Sequence, residues 1–284
     1  MSNLRKYTIL EHILFPIKSL NQNKLASKVD SKTILITGAT FGIGEQLSLM
    51  LAKTNAHLIL IGRTENKLNT LKVQIEALGG SVQVIPTDLT NQEDLNHLIK
   101  TLLNLENGVD VFISNAGRSI RRSINDSLDR FHDFERTMNL NYYAPVKLIL
   151  KLIPILKQNK GQFINISAIN VLLIPAPKWS AYQASKSAFD NWFRCVSPEL
   201  KFDFVACTTI YLPLVKTRMI APTKAYEKMP AMKPEQVAQL IGKYIISRKS
   251  KFQPWWLIYG QIGSILFRQL FERLALNSLR KHNK

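Results

Sequence analysis

The chain has 284 residues, 46% of them apolar and 20% charged. This is the composition of a globular protein with a sizeable core, and it excludes collagen-like, mucin-like and wholly disordered architectures. Lys and Arg number 38 against 20 Asp and Glu, a formal charge of +18. Residues 1–32 hold six basic and two acidic residues, and residues 243–284 hold nine and one, so the two ends carry twelve of the eighteen net charges. Such ends suit an anionic partner rather than a basic core. Two cysteines, Cys195 and Cys207, make no disulfide framework; they read as buried apolar thiols and fit a reducing, cytoplasmic location. No Cys/His cluster has ligand spacing, so no metal is expected. No run reaches the ~18–20 apolar residues of a spanning helix. The N-terminal Arg5, Lys6 and Tyr7–Ile17 stretch lacks a cleavage site, so no signal peptide is assigned.

From residue 33 onward, short β-rich runs alternate with longer segments of helical period. Strands are expected at Thr33–Thr37, His57–Ile61, Val82–Pro86, Val109–Ile113, Gln162–Ile166 and Val205–Ile210. Helices are expected at Ile43–Lys53, Thr64–Leu78, Asn91–Glu106 (with Thr90 as N-cap), Phe131–Gln158 (bent by Pro145 and Pro154) and Ala181–Lys201. The strands alternate little, as parallel strands covered on both faces do. Repeated β-α-β units give an α/β fold with a doubly wound parallel sheet. Ligands in such sheets bind beyond the carboxyl ends of the strands.

The first such loop is Thr37-Gly38-Ala39-Thr40-Phe41-Gly42-Ile43-Gly44. Three glycines between a strand and a helix allow a tight turn and close approach of a pyrophosphate, toward which the helix start points free N–H groups. This placement in a β-α-β unit marks a dinucleotide site. The second strand ends at Gly62-Arg63, where NAD-binding units usually carry an acid. Arg63 pairs instead with a 2′-phosphate, so the expected cofactor is NADPH. A later helix opens with Tyr182-Gln183-Ala184-Ser185-Lys186. Tyr182 and Lys186, four apart, share a helix face. An ammonium there is expected to lower the phenol's pKa and make it a proton shuttle.

These motifs, together with Ser114-Asn115-Ala116-Gly117, resemble the short-chain dehydrogenase/reductase family over about residues 33–245. The resemblance implies a Rossmann fold, Tyr182 as general acid/base and Lys186 as its tuning group and ribose ligand. It implies that Asn141 holds a water for the proton relay and that a Ser closing the fifth strand polarises the substrate carbonyl. Here Ala168 stands where that Ser belongs, and Ser167, 15 residues before Tyr182, is the expected substitute. Asp88 and Asn115 match adenine-pocket positions, and Leu89, Ala116 and Gly117 are implied to bind the cofactor as well. Pro213, Val215 and Thr217 match the loop at the nicotinamide amide, with Leu214 in place of the usual Gly.

The segments from Asn115 to Leu148 and from Tyr211 to Tyr226 are similar to bacterial NADPH-dependent long-chain fatty acyl-CoA reductases. That similarity implies a lipophilic small-molecule substrate, an acyl-CoA thioester reduced to the aldehyde. Arg118, Arg121 and Arg122 would meet coenzyme A phosphates, and the lid (about 213–232) offers Met219 and Met229 to the acyl chain. Reduction of a fatty aldehyde, 3-oxoacyl thioester or steroid-like ketone stays open, as does a catalytically weakened NADP-binding protein motivated by Ala168. Nucleic acid is not an expected partner, because no recognition motif appears. A homo-oligomer is expected from the resemblance.

Three parts follow: an N-terminal extension (1–32), the NADP-binding catalytic domain (33–246) and a C-terminal tail (247–284). In the tail, Trp255, Tyr259, Ile262, Leu266, Leu270 and Leu274 recur at helical spacing beside Arg268, Arg273, Arg280 and Lys281. Tyr7, Leu10, Leu14 and Ile17 make a weaker stripe. Both ends read as basic amphipathic helices, suited either to an anionic membrane surface on the cytoplasmic side or to packing on the domain or on a second subunit.

Overall fold

The computed structural model describes residues 8–16, 19–221, 223 and 226–282, with side chains to residue 280. Tyr7 and Ile17 of the N-terminal stripe and the Lys281 side chain lie outside the described residues, as do Arg5 and Lys6. The strands are β1 (Thr33–Thr37), β2 (His57–Gly62), β3 (Ser81–Pro86), β4 (Val111–Ser114), β5 (Gln162–Ala168), β6 (Ala206–Leu212) and β7 (Lys251–Phe252). They form one parallel sheet in the order β3-β2-β1-β4-β5-β6-β7. The helices are α1 (Ile9–Leu14), α2 (Gln22–Val29), α3 (Ile43–Leu51), α4 (Glu65–Ala77), α5 (Gln92–Leu103), α6 (Phe131–Met138), α7 (Ala144–Gln158), α8 (Ser180–Phe202), α9 (Pro234–Ser247), α10 (Leu257–Leu266) and α11 (Arg268–His282).

Successive strand residues point to opposite faces, and both faces are covered. Ile34, Ile36, Leu58 and Leu60 pack with Leu25, Leu47, Leu71 and Ile241 from α2, α3, α4 and α9. Leu35, Ile59, Phe112 and Phe163 pack with Leu98, Leu148, Phe189 and Phe193 from α5, α7 and α8. This accounts for central strands that are buried at nearly every position. Phe163 meets Phe112 at 5.0 Å and Phe193 at 4.8 Å, both edge-on; truncating it to Ala costs about 3–5 kcal/mol. Strand order reverses at β1, which has β2 on one side and β4 on the other. That reversal opens a crevice above their carboxyl ends.

Several local expectations are corrected. Asn91, not Thr90, caps α5: its side chain accepts from the N–H of Glu93 and Asp94, while Thr90 bonds to Asp88. The long helix of 131–158 is interrupted by a π-helical turn, Asn139–Tyr143, which separates α6 from α7; Pro145 opens α7 and Pro154 lies within it. The tail is two helices broken at Phe267 rather than one. Cys207 is buried, and burial pushes its thiol up to about 11, but Cys195 is exposed. Two terminal pieces join the body: Leu25 and Val29 of α2 are fully buried, and β7 extends the sheet. Among the described residues no helix is long and apolar enough to cross a membrane.

Candidate active site

The crevice holds a cavity of about 700 Å³, lined by the loops that follow β1, β2, β4, β5 and β6. The glycine loop forms one end. Gly38 and Gly42 have φ of 67° and 58°, values that cost a side-chain-bearing residue energy. A Cβ on Gly44 would stand 2.3 Å from the Gly38 carbonyl oxygen, so only glycine lets α3 start this close to β1. Gly42 is the N-cap of α3 and offers no side-chain cap, so the first-turn N–H groups remain available to an anion. Thr40, Phe41 and Ile43 line the same end.

Thr37 and Asn115 brace this loop from below. Thr37 Oγ1 accepts from the N–H groups of Asn115 and Ala116 at 3.1 and 3.2 Å. Asn115 Nδ2 donates to the carbonyls of Thr37 and Gly38 at 3.1 and 3.0 Å. Arg63, Leu89, Ala116 and Gly117 line the cavity, and a Cβ on Gly62 would meet Thr40 at 2.8 Å. Asp88 stands behind the wall, held by Thr90. Burial raises its carboxyl pKa, but the Thr90 hydrogen bonds and the charges of Arg63 and Arg118 outweigh this and hold it low. The cradle, the free helix N-terminus and Arg63 beside it fit a dinucleotide that carries an extra phosphate.

Tyr182 and Lys186 line the cavity floor from the first turns of α8. Lys186 Nζ donates to the Ile166 carbonyl at 3.1 Å. Burial lowers Lys186 to about 8. Tyr182 runs opposite to the expectation: burial, with the Tyr226 phenol beside it, pushes it up to about 12. Desolvation disfavours the phenolate, and the Lys186 ammonium bonds a backbone carbonyl rather than the phenol. The Tyr182 phenol is therefore held protonated.

Asn141 is buried in the π turn, and both ends of its amide are engaged. Oδ1 accepts from Arg118 N–H, while Nδ2 donates to the Arg118 carbonyl and to Ser185 Oγ, each at 2.9 Å. Ser185 in turn donates to the Tyr182 carbonyl at 2.8 Å. Asn141 thus ties the loop after β4 to the helix carrying Tyr182. Ser167 lies one residue inside β5, 4% exposed, and its hydroxyl has no partner.

Over the floor folds the lid. Met232 N–H donates to the Leu214 carbonyl and Lys216 N–H to the Met232 carbonyl, each at 2.9 Å, and together they clasp its base. Pro213, Val215, Thr217, Met219 and Met229 line the cavity; Pro222, Lys224 and Ala225 lie outside the described residues. Thr217 reaches so close to Gly42 that a Cβ there would be 2.8 Å from it, and Arg218 lies over the Phe41 ring. Of the three arginines expected for coenzyme A, only Arg118 lines the cavity. Arg122 pairs with Asp133 at 3.2 Å, and Asp133 also takes Arg130 and Arg136. Arg121 is exposed, with its charge near Tyr226. Sequence reasoning missed the aromatic wall: Tyr226 stacks on Trp179 at 5.9 Å, and Trp179 meets Tyr182 edge-on at 5.8 Å. It also missed Asn170 and Leu173, which belong to no motif, and Gln183, which lies inside one but was given no role; all three line the cavity.

A family profile described as short chain dehydrogenase matches residues 32–228. A fatty acyl-CoA reductase from Acinetobacter baylyi is 46% identical over 240 residues, covering 84% of this chain and 80% of that protein. A fatty acyl-CoA reductase from Mycobacterium tuberculosis is 40% identical over 224 residues, covering 78% and 76%. A solved short-chain dehydrogenase from Sphingobium yanoikuyae, in complex with NADPH, superimposes with a TM-score of 0.70 at 22% identity, covering 78% and 86%. The glycine cradle, the Tyr182/Lys186 floor and these matches agree: the chain belongs to the short-chain dehydrogenase/reductase family of oxidoreductases.

Proposed function

We propose that this oxidoreductase uses NADPH to reduce long-chain fatty acyl-CoA to the aldehyde. The observation that carries the reading is the pairing of a phosphate cradle flanked by Arg63 with an apolar, aromatic substrate end formed by Leu173, Trp179, Met219, Tyr226 and Met229. The identities of 46% and 40% to fatty acyl-CoA reductases support it.

NADPH, when bound, supplies the hydride. Arg63 and the glycine loop hold the phosphates, and Lys186 takes the ribose hydroxyls. Tyr182 gives its phenolic proton to the carbonyl oxygen. Ser167 near the end of β5 and Asn170 in the turn after it line the cavity. The hemithioacetal then breaks its C–S bond, the coenzyme A thiol leaves, and a fatty aldehyde remains. Arg118 is the arginine placed to meet coenzyme A or cofactor phosphate. The experiment is product analysis after incubation with palmitoyl-CoA and NADPH: a fatty aldehyde is expected, and a product formed only from an aldehyde or a ketone would move the substrate to those classes.

The two ends extend this reading. Trp255 and Trp256 donate to the Ile13 and Leu14 carbonyls of α1, at 3.1 and 3.2 Å. Beside them Ile9, Leu10, Ile13, Ile258, Tyr259 and Ile262 are exposed. α11 adds Leu270, Phe271 and Leu274, also exposed, beside Arg268, Arg273 and Arg280. An apolar face with cationic flanks fits an anionic lipid surface. Gly260 of α10 abuts Leu173, a cavity residue, so the face adjoins the substrate end.

A further inference from the structure

A carbonyl oxygen that receives a proton from Tyr182 has a second lone pair, and the site needs a donor for it. β5 ends in Ala168, which has none. Besides Tyr182, β5, the turn after it and α8 line the cavity with four polar side chains, and three of these are committed or enclosed. Lys186 Nζ bonds the Ile166 carbonyl. Gln183 uses both ends of its amide: Nε2 donates to the Asn170 carbonyl at 2.6 Å, and Oε1 accepts from Ala176 N–H at 3.2 Å. Ser167 is within the sheet, in register with Tyr211, and is 4% exposed.

Asn170 is the fourth. It sits in the 3-10 turn Ile169–Leu172, past the strand end, where ligands of this sheet type lie. It is half-buried and lines the cavity. Its side-chain amide makes no hydrogen bond among the described residues: Oδ1 is enclosed without a partner, a rare state for a buried acceptor, and Nδ2 is uncommitted. Its place is fixed relative to the proton donor, because the Gln183 that grips its backbone directly follows Tyr182.

We propose that Asn170 is a catalytic residue: its Nδ2–H donates to the substrate carbonyl oxygen beside the Tyr182 hydroxyl, in place of a hydroxyl at position 168. The proposal rests on the reductase reading. It assigns Asn170 a role that the sequence reading gave to Ser167.

The test compares Asn170→Ala, Ser167→Ala and the double variant Ala168→Ser/Asn170→Ala in the full chain. Two readouts are used: steady-state kinetics with palmitoyl-CoA, and the infrared carbonyl stretch of 13C-carbonyl palmitoyl-CoA bound to the NADP+-loaded protein, where no turnover occurs. Asn170→Ala is expected to lower kcat by about 10²-fold, as loss of one such donor does, with NADPH affinity kept. The bound carbonyl stretch is expected to rise toward its free value. The double variant is expected to regain at least about tenfold in kcat and to lower the stretch again. Ser167→Ala is expected to retain more turnover than Asn170→Ala.

Wild-type kcat or an unmoved carbonyl band in Asn170→Ala overturns the proposal. So does the reverse order of the two single variants. Loss of NADPH affinity in step with kcat, without rescue by Ser at 168, assigns Asn170 a structural role and overturns it too. Failure of the underlying reading looks different: the wild-type protein then shows no bound band with labelled thioester or labelled long-chain aldehyde.

Discussion

At the scale of single residues, the site sets two titrations apart. Lys186 is lowered to about 8 and Tyr182 raised to about 12. The phenol stays protonated through the neutral range and is ready to donate, while the ammonium loses its charge above about 8. Turnover in the reductive direction is therefore expected to fall as pH rises through about 8, with no limb from Tyr182 in that range. A pH–rate profile under saturating NADPH checks this, and a profile flat to about pH 10 would remove Lys186 from the chemistry. The stability sign is the reverse. The folded chain binds the Lys186 proton less tightly than the unfolded chain, so this group costs stability below about 8, and the cost fades as pH rises from there toward 10.5. Arg63 is the second residue with a sharp expectation. Arg63→Ala should reduce kcat/KM for NADPH by about 10–100-fold and leave the NADH value far less changed, because a guanidinium fork recognises a phosphate that NADH lacks. Equal losses with both cofactors would place Arg63 outside 2′-phosphate recognition.

At the scale of elements, the N-terminal helix is a strap on the lid. Glu11 of α1 is 3% exposed. It accepts from Ala231 N–H at 3.2 Å and pairs with Lys216 at 2.8 Å, which joins both sides of the lid clasp to α1. Burial raises its pKa, but the bonds from Lys216, Thr8 and Ala231 outweigh this and lower it to about 2. The stability Glu11 adds is present above its ordinary value of 4.5 and is lost as pH falls toward 2. Glu11→Gln is expected to speed amide exchange at residues 231 and 232 and to raise KM for long acyl chains more than it lowers kcat. Unchanged exchange at those amides would show that the clasp holds without α1. This strap was not legible in the sequence, because Glu11 and Ala231 are 220 residues apart and neither belongs to a motif. The same holds for Asn170, which lies in a turn of unremarkable composition, and for its bond from Gln183, which spans 13 residues. What was legible was local: glycines between a strand and a helix, and Tyr182 and Lys186 one helical turn apart. The bend after α6 was misplaced because proline is the usual breaker, whereas the break here is a π turn built around Asn141. Arg122 was misread for a related reason. Its partner, Asp133, becomes visible only when the loop after β4 folds back on α6.

At the scale of the whole molecule, one parallel sheet carries the chemistry and the two ends share one apolar face. The body of the fold depends on the start of the tail: Leu257 is fully buried, and Trp256 packs on the core. α11 instead exposes Leu270, Phe271, Leu274 and Leu276. Removing residues 268–284 should therefore leave the melting transition near its wild-type position and abolish co-sedimentation with vesicles containing anionic lipid. Retained sedimentation would count against docking through α11. Loss of a dimer in lipid-free buffer on the same truncation would assign this face to a second copy of the chain. The charge distribution was an early sign of this division, since the excess of basic residues lies in the ends and not around the sheet.

The central claim is that the carbonyl reduced belongs to an acyl thioester. The most direct measurement follows NADPH consumption and free thiol release together, with palmitoyl-CoA as substrate. Thiol appearing in step with NADPH oxidation, and both lost in Tyr182→Phe, is the expected result. NADPH oxidation that requires a free aldehyde, with no thiol released from palmitoyl-CoA, would contradict the claim.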